Sequence, residues 1–81
     1  MAIQEDRFDA LNNQALEQYL ADEARRRRER LLVERRGGGW LAESYQTDGL
    51  SSGRSVMLGA SGTDRRAAML GLARKFDANR S

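Results

Sequence analysis

No glycine or proline occurs before Gly37, where three consecutive glycines interrupt the chain. The stretch from Asn13 to Arg36 consists mostly of Ala, Leu, Glu, Gln and Arg, which are strong helix formers. Asn12 is a suitable N-cap, and Leu11 and Leu16 have the spacing of a hydrophobic staple across it. The pattern therefore predicts one long helix over residues 13–36, ended by the glycines.

The apolar face of this helix is interrupted. Its stripe is formed by Leu16, Tyr19, Leu20 and Ala24, and Leu31 follows one heptad later. Every residue between positions 25 and 30 is charged. We therefore expect a helix that packs at both ends, while its middle is solvated or contacts a charged surface.

The next segment, residues 37–62, begins with three glycines and is rich in Gly and Ser over residues 46–62. It contains a short apolar group, Trp40, Leu41 and Tyr45, and one strand-like stretch over residues 55–58. Long irregular segments are uncommon in a compact domain unless they bind something. We therefore expect residues 37–62 to form an extended anchor that lies along a partner.

A second amphipathic helix is predicted over residues 63–76. Thr63 is a suitable N-cap, and Asp64 suits the positive end of the helix dipole. Apolar residues recur at helical spacing at Met69, Leu72, Ala73 and Phe76. Gly71 inside this helix is unfavourable by about 1 kcal/mol relative to Ala, which suggests that it permits close packing.

These elements predict a mainly α, extended chain that is stabilised by a partner and is not a compact globule. It would be a single small module with four parts. These are an acidic N-terminal arm (1–12), an Arg-rich helix (13–36), an extended anchor segment (37–62), and a C-terminal helix and tail (63–81).

A chain of 81 residues buries a small core, and such chains usually need an additional source of stability. Disulfides and ordinary zinc sites are excluded because Cys and His are absent. The same absence removes the usual triads, thiol nucleophiles and histidine bases, so the sequence predicts no enzyme, cofactor or metal site. The longest runs of large apolar residues have three members, which indicates neither a membrane span nor a signal peptide.

Charge is unevenly distributed along the chain. Residues 1–23 contain six acids and one arginine, whereas residues 24–36 contain seven arginines and two glutamates. The candidate contacts of this basic region are Arg25, Arg26, Arg27, Arg28, Arg30, Arg35 and Arg36. Consecutive residues of a helix point in different directions, and the nearby carboxylates dilute the positive charge. Solvation, contact with an acidic protein surface and nucleic-acid binding therefore all remain open.

The stretch 52–71 resembles the C-terminal tail of small virion proteins of short-tailed bacteriophages. The matching positions are Gly53-Arg54-Ser55, Leu58-Gly59, Arg65-Arg66 and Leu70-Gly71. The chain departs from the family where Met57 and Leu58 replace a Leu-Thr pair, and the spacer that follows is short. The resemblance implies a minor structural component at the portal, head–tail adaptor or tail, present in several symmetric copies.

The sequence thus favours a non-enzymatic adaptor protein of a large assembly, most of all a minor phage virion component assembled in the host cytoplasm. The alternatives are an Arg-rich helical nucleic-acid-binding module and a small phage-encoded regulator of a host protein, which would be cytoplasmic. The expected partner is a portal, adaptor or tail ring, and no membrane. The predicted partner-binding residues are Trp40, Leu41, Tyr45, Gly53, Arg54, Val56, Leu58, Met69, Leu70, Leu72 and Phe76.

Overall fold

A computed structural model describes residues 7–47 and 53–80, and these residues form two helices and three strands. The elements in chain order are α1 (Asn13–Arg26), β1 (Arg30–Arg36), β2 (Gly39–Thr47), β3 (Arg54–Gly62) and α2 (Arg65–Ala78). The strands form one antiparallel sheet in the order β1-β2-β3. The prediction of a mainly α chain is therefore wrong.

The start of α1 agrees with the sequence prediction, but its end does not. The Asn12 side chain accepts a hydrogen bond of 2.8 Å from the backbone N–H of Ala15, as expected for an N-cap. The helix ends at Arg26, and Arg28 has a left-handed φ of 59°. The predicted continuation of the helix to residue 36 is wrong, because the chain turns at this point and enters β1.

Pairing with β2 explains why the residues after the turn form a strand. Leu31 and Val33 lie two apart, so in a strand both face the helices, where they pack against the core. They are paired with Ser44 and Ala42 of β2. The helix propensity of the surrounding Arg and Glu residues amounts to only tenths of a kcal/mol each, and tertiary packing overrides it.

The segment 37–62, predicted to be extended along a partner, instead provides most of the sheet. Gly37 and Gly38 form the two-residue loop of the β1–β2 hairpin, and the φ of Gly37 is 61°. β3 pairs with β2 over nearly its whole length, and the strand-like stretch 55–58 lies within it. Gly37 and Gly38 therefore connect two antiparallel strands instead of ending a helix.

Both helices lie on the same face of the sheet and run parallel to each other. Near their N-termini, the Arg66 guanidinium donates to Asn13 Oδ1 at 2.9 Å. Near their C-termini, Arg80 lies 3.5 Å from a carboxylate oxygen of Glu23. The N-cap of α2 is Asp64 and not the predicted Thr63, and the Asp64 side chain accepts a hydrogen bond of 2.7 Å from the backbone N–H of Ala67.

A hydrophobic core fills the space between the helices and the sheet. Its buried members are Phe8, Leu16, Leu20, Ala42, Ala68, Met69, Leu72, Ala73 and Phe76. All four residues of the predicted apolar face of α2 belong to it. The N-terminal arm contributes Phe8, whereas residues 1–6 lie outside the described residues. The expectation of an extended chain is therefore wrong, because the apolar side chains of the helices and strands pack against one another in one core.

Candidate functional site

The second face of the sheet is not covered by either helix. Side chains alternate along a strand, so the residues between those that face the helices point to this side. We call it the open face, and the register of the strands assigns to it Arg30, Leu32, Glu34, Arg36, Leu41, Glu43, Tyr45, Thr47, Arg54, Val56, Gly59 and Ser61.

Apolar side chains are exposed along the β3 side of this face. Val56 is 52% exposed and Met57 is 46% exposed. The register shifts between Ser44 and Tyr45, so that Met57 is an extra residue of β3 with no direct partner on β2. Such a bulge twists a strand and redirects its side chains, and bulges are frequent at sheet edges and functional sites.

The carboxylate of Glu43 is almost buried near the middle of the open face. Glu43 is only 6% exposed, and Gly59 is its cross-strand neighbour on β3. The Arg54 guanidinium lies 3.5 Å from Glu43 Oε1 and 5.2 Å from the centre of the Tyr45 ring. Arg54 therefore covers the carboxylate and stacks on the ring, which organises the centre of the face.

The remaining charges lie toward β1. Arg36 pairs with Glu34 on the same strand. Arg30, which is opposite Tyr45, has no ion pair or side-chain hydrogen bond with any other described residue. Three arginines thus accompany two glutamates on the open face, and both glutamates are already paired with arginine.

A cleft of about 430 Å³ lies where the open face meets the end of the sheet. It is lined by Arg36, Gly39, Trp40, Leu41, Ser61, Gly62 and Thr63. Gly39 and Gly62 bring the backbones together here, since a Cβ on Gly39 would lie 2.7 Å from the carbonyl oxygen of Gly62. The open face is therefore continuous with a concave end that contains half-buried Trp40.

The structure divides the predicted partner-binding residues among several places. Leu41, Tyr45, Arg54 and Val56 are on the open face, whereas Trp40 and Leu58 are on the helix side of the sheet. Met69, Leu72 and Phe76 are fully buried in the core, and Leu70 packs against it. Gly53 is exposed just before β3.

The Arg-rich run does not form one surface. Arg25 and Arg26 end α1, and Arg28 lies in the following turn. Arg27 stacks on Phe76 with 4.9 Å between the guanidinium carbon and the ring centre. The three arginines of β1 are divided between its two faces, with Arg30 and Arg36 on the open face and Arg35 on the other.

Sequence reasoning missed Leu32 and Glu43 on the open face and Met57 at the bulge of β3. A signal was present, because two runs with strand residues flank Gly37-Gly38, which is typical of a hairpin. Alternation along those runs would have placed Leu32 and Glu43 on one side of a sheet.

Within residues 7–47 and 53–80, no group of three or more Asp or Glu residues is arranged to hold a metal ion. Neither of the described helices is long and apolar enough to cross a membrane. Comparison with known proteins finds no matching family model, no similar curated protein and no similar solved structure.

Proposed function

We propose that this chain is a non-enzymatic protein-docking module whose open sheet face binds a partner protein in a larger assembly. The observation that carries the proposal is the exposure of Val56 and Met57 on a domain whose other large apolar side chains are at least half-buried in the described residues. Apolar groups that remain exposed together, with charged groups around them, are characteristic of interaction surfaces.

The composition of the face favours a protein over a nucleic acid. Leu32, Leu41 and Val56 have no hydrogen-bond donors for phosphates or base edges. Glu34 and Glu43 add carboxylates that would repel a phosphate backbone. A surface that combines apolar side chains with arginines and a tyrosine instead resembles a protein interface, in which Arg, Met and Tyr are enriched.

The charges favour a partner with an acidic border. Arg30 has no counter-ion among the described residues, and Arg36 and Arg54 retain donors beyond those used for Glu34 and Glu43. A second copy of the chain docked face to face would bring like charges together. An apolar surface flanked by Asp or Glu would pair with all three arginines.

A ring of a phage particle is the first assembly to test. This part of the proposal rests on the resemblance of residues 52–71 to virion proteins of short-tailed phages. Within this stretch, Arg54 and Val56 lie on the open face. The competing hypothesis of a small regulator predicts a one-to-one complex with a host protein. A portal, adaptor or tail ring predicts several copies in one complex.

Photo-cross-linking tests the docking surface. A photoreactive residue replaces Met57 in one variant and Gln14, an exposed residue of α1, in a control. In cells that produce the chain together with its natural neighbours, we expect position 57 to give one dominant protein adduct that position 14 does not give. Adding Arg30→Glu should abolish that adduct, because it reverses a charge that has no partner among the described residues.

Three results would overturn the proposal: an adduct only with a second copy of the chain, an adduct only with nucleic acid, or equal adducts from both positions. The native mass of the cross-linked complex then separates a ring from a one-to-one regulator.

A further inference from the structure

A second cluster lies on the helix side of the molecule, where α1 and α2 end together. Here a cavity of about 310 Å³ is lined by Glu23, Arg26, Arg27, Asn79 and Arg80. Arg26 and Arg27 come from the end of α1, and Arg80 follows α2, so the cavity exists only because the two helices run parallel. We infer that this cavity binds a phosphate group.

The cavity contains more hydrogen-bond donors than the protein itself uses. Arg26 lies 3.2 Å and Arg80 lies 3.5 Å from the same oxygen of Glu23, Oε1. A guanidinium group has five N–H donors in a planar fork, whereas one carboxylate has two oxygens. The cluster therefore keeps donors that can pair with further oxygens, as the bidentate geometry of phosphate favours.

Arg27 is held in place independently of the carboxylate. Its guanidinium stacks on the ring of Phe76, a fully buried core residue, at 4.9 Å from the ring centre. Stacking fixes the plane of the guanidinium while leaving its N–H edge available. A donor positioned before the ligand arrives loses less conformational freedom on binding.

The charge balance of the cluster is positive. Among the described residues, three arginines face one carboxylate, and the two helix C-termini each add a partial negative charge of about one half. The balance remains near +1, and the side chains of Arg26 and Arg80 are 65% and 39% exposed, so a ligand can reach them. Glu23 occupies part of the donor set, which makes it an internal competitor of the ligand.

Inorganic phosphate is the first probe, titrated into the ¹⁵N-labelled protein and followed on the arginine side-chain signals. We expect saturable shifts at Arg26, Arg27 and Arg80. Arg80→Gln should weaken binding roughly three- to fivefold, as expected for loss of one exposed charged contact.

Arg35→Gln is the matched control, because Arg35 is exposed, has no ion-pair partner among the described residues and lies near the far end of β1. It should change the affinity by less than about twofold, since charges at that separation are largely screened.

Glu23→Gln provides a test with the opposite sign. Removal of the internal competitor should tighten phosphate binding by roughly threefold, because the donors of Arg26 and Arg80 are released. A thermal melt of the same variant checks that it is folded, and Arg80→Gln alone decides the question if it is not. If the arginines only neutralise the partial charges of the helix ends, Glu23→Gln should not tighten phosphate binding.

A short nucleic-acid duplex, used in a second titration, distinguishes the source of the phosphate. If the site binds a phosphate backbone, the duplex should bind more tightly than inorganic phosphate, lose affinity steeply with salt and be weakened by Arg80→Gln. Tighter binding of inorganic phosphate would assign a free phosphate group. Equal shifts at Arg35 and the cluster, or an affinity that neither Arg80→Gln nor Glu23→Gln changes, would overturn the inference.

Discussion

Gly71 of α2 lies directly against Ala60 of β3, so that a Cβ added at Gly71 would stand 2.8 Å from the Cβ of Ala60. The sequence suggested that a glycine inside a helix permits close packing, and this contact confirms it. The absent side chain lets α2 approach the sheet, and it sets the distance at which Met69, Leu72 and Phe76 reach the core.

Gly71→Ala should therefore destabilise the protein despite its better helix propensity. Propensity favours Ala by about 1 kcal/mol, but overpacking against a β-strand costs about 1–3 kcal/mol. We expect a net loss of about 1 kcal/mol in the free energy of unfolding, measured by urea denaturation. Ala60→Gly added to Gly71→Ala removes the clash and should recover part of the loss. A stabilised Gly71→Ala variant would show that the helix is free to move away.

Ser44→Ala should stabilise the protein. Ser44 is fully buried on the helix side of β2, and its hydroxyl has no hydrogen-bond partner among the described residues. An unpaired buried hydroxyl costs roughly 1–3 kcal/mol, so its removal should raise the free energy of unfolding by about 1 kcal/mol. Ser44→Val, which adds volume at the same place, should not give the same gain. A loss on Ser44→Ala would mean that the hydroxyl is paired in solution.

Arg28→Gly should also stabilise the fold, since Arg28 adopts a φ of 59°. Left-handed backbone costs a non-glycine residue about 1–2 kcal/mol, and the greater chain entropy of glycine offsets about 0.5–1 kcal/mol of the relief. The net gain should be roughly 0.5 kcal/mol by thermal or urea denaturation. Arg28→Ala keeps the strained backbone and should give no gain. Equal stability of Arg28→Gly and Arg28→Ala would show that loss of the arginine side chain, and not relief of the backbone, changes the free energy of unfolding.

Stability should decrease at high pH because of Tyr19. Burial raises the pKa of the Tyr19 phenol above 10.0, Glu23 acts in the same direction, and Arg7 opposes both. The folded protein thus holds a proton that the unfolded chain releases near pH 10. The stability that the folded state gains by keeping this proton is fully present below pH 10, and it is lost as the pH rises through the folded-state pKa of Tyr19. Urea denaturation between pH 9 and 11 should show a smaller decrease for Tyr19→Phe than for Tyr45→Phe. The same decrease in both variants would assign the effect to other groups.

Phe76→Ala and Val56→Asp should separate the core from the docking surface. Phe76 is fully buried, so its truncation should cost about 3–5 kcal/mol. Val56 is half exposed, and its replacement should change the free energy of unfolding by less than about 1 kcal/mol while abolishing partner binding. Thermal melts of both variants, together with the cross-linking yield at Met57, check this. A large loss of stability in Val56→Asp would mean that Val56 supports the sheet.

Local chemistry explains the parts of the fold that the sequence predicted. The cap at Asn12 and the apolar spacing of α2 depend on residues within one or two helical turns, and both are present in the structure. The sheet was missed because strand pairing joins residues far apart in the chain. Leu31 pairs with Ser44, and Ser44 with Leu58, and no local preference of Arg or Glu reports those partners.

The same distinction applies to function. By itself, the sequence determined that the chain contains no Cys or His, that its basic residues are concentrated after residue 24 and that α2 has an apolar face. Only the tertiary structure decided which arginines lie close together. It separated Arg30 and Arg36 from Arg35 on opposite faces of one strand, and it joined Arg26 and Arg27 to the distant Arg80. The physical reason is that a surface forms from side chains adjacent in space, and hydrophobic packing of the helices and strands determines that adjacency.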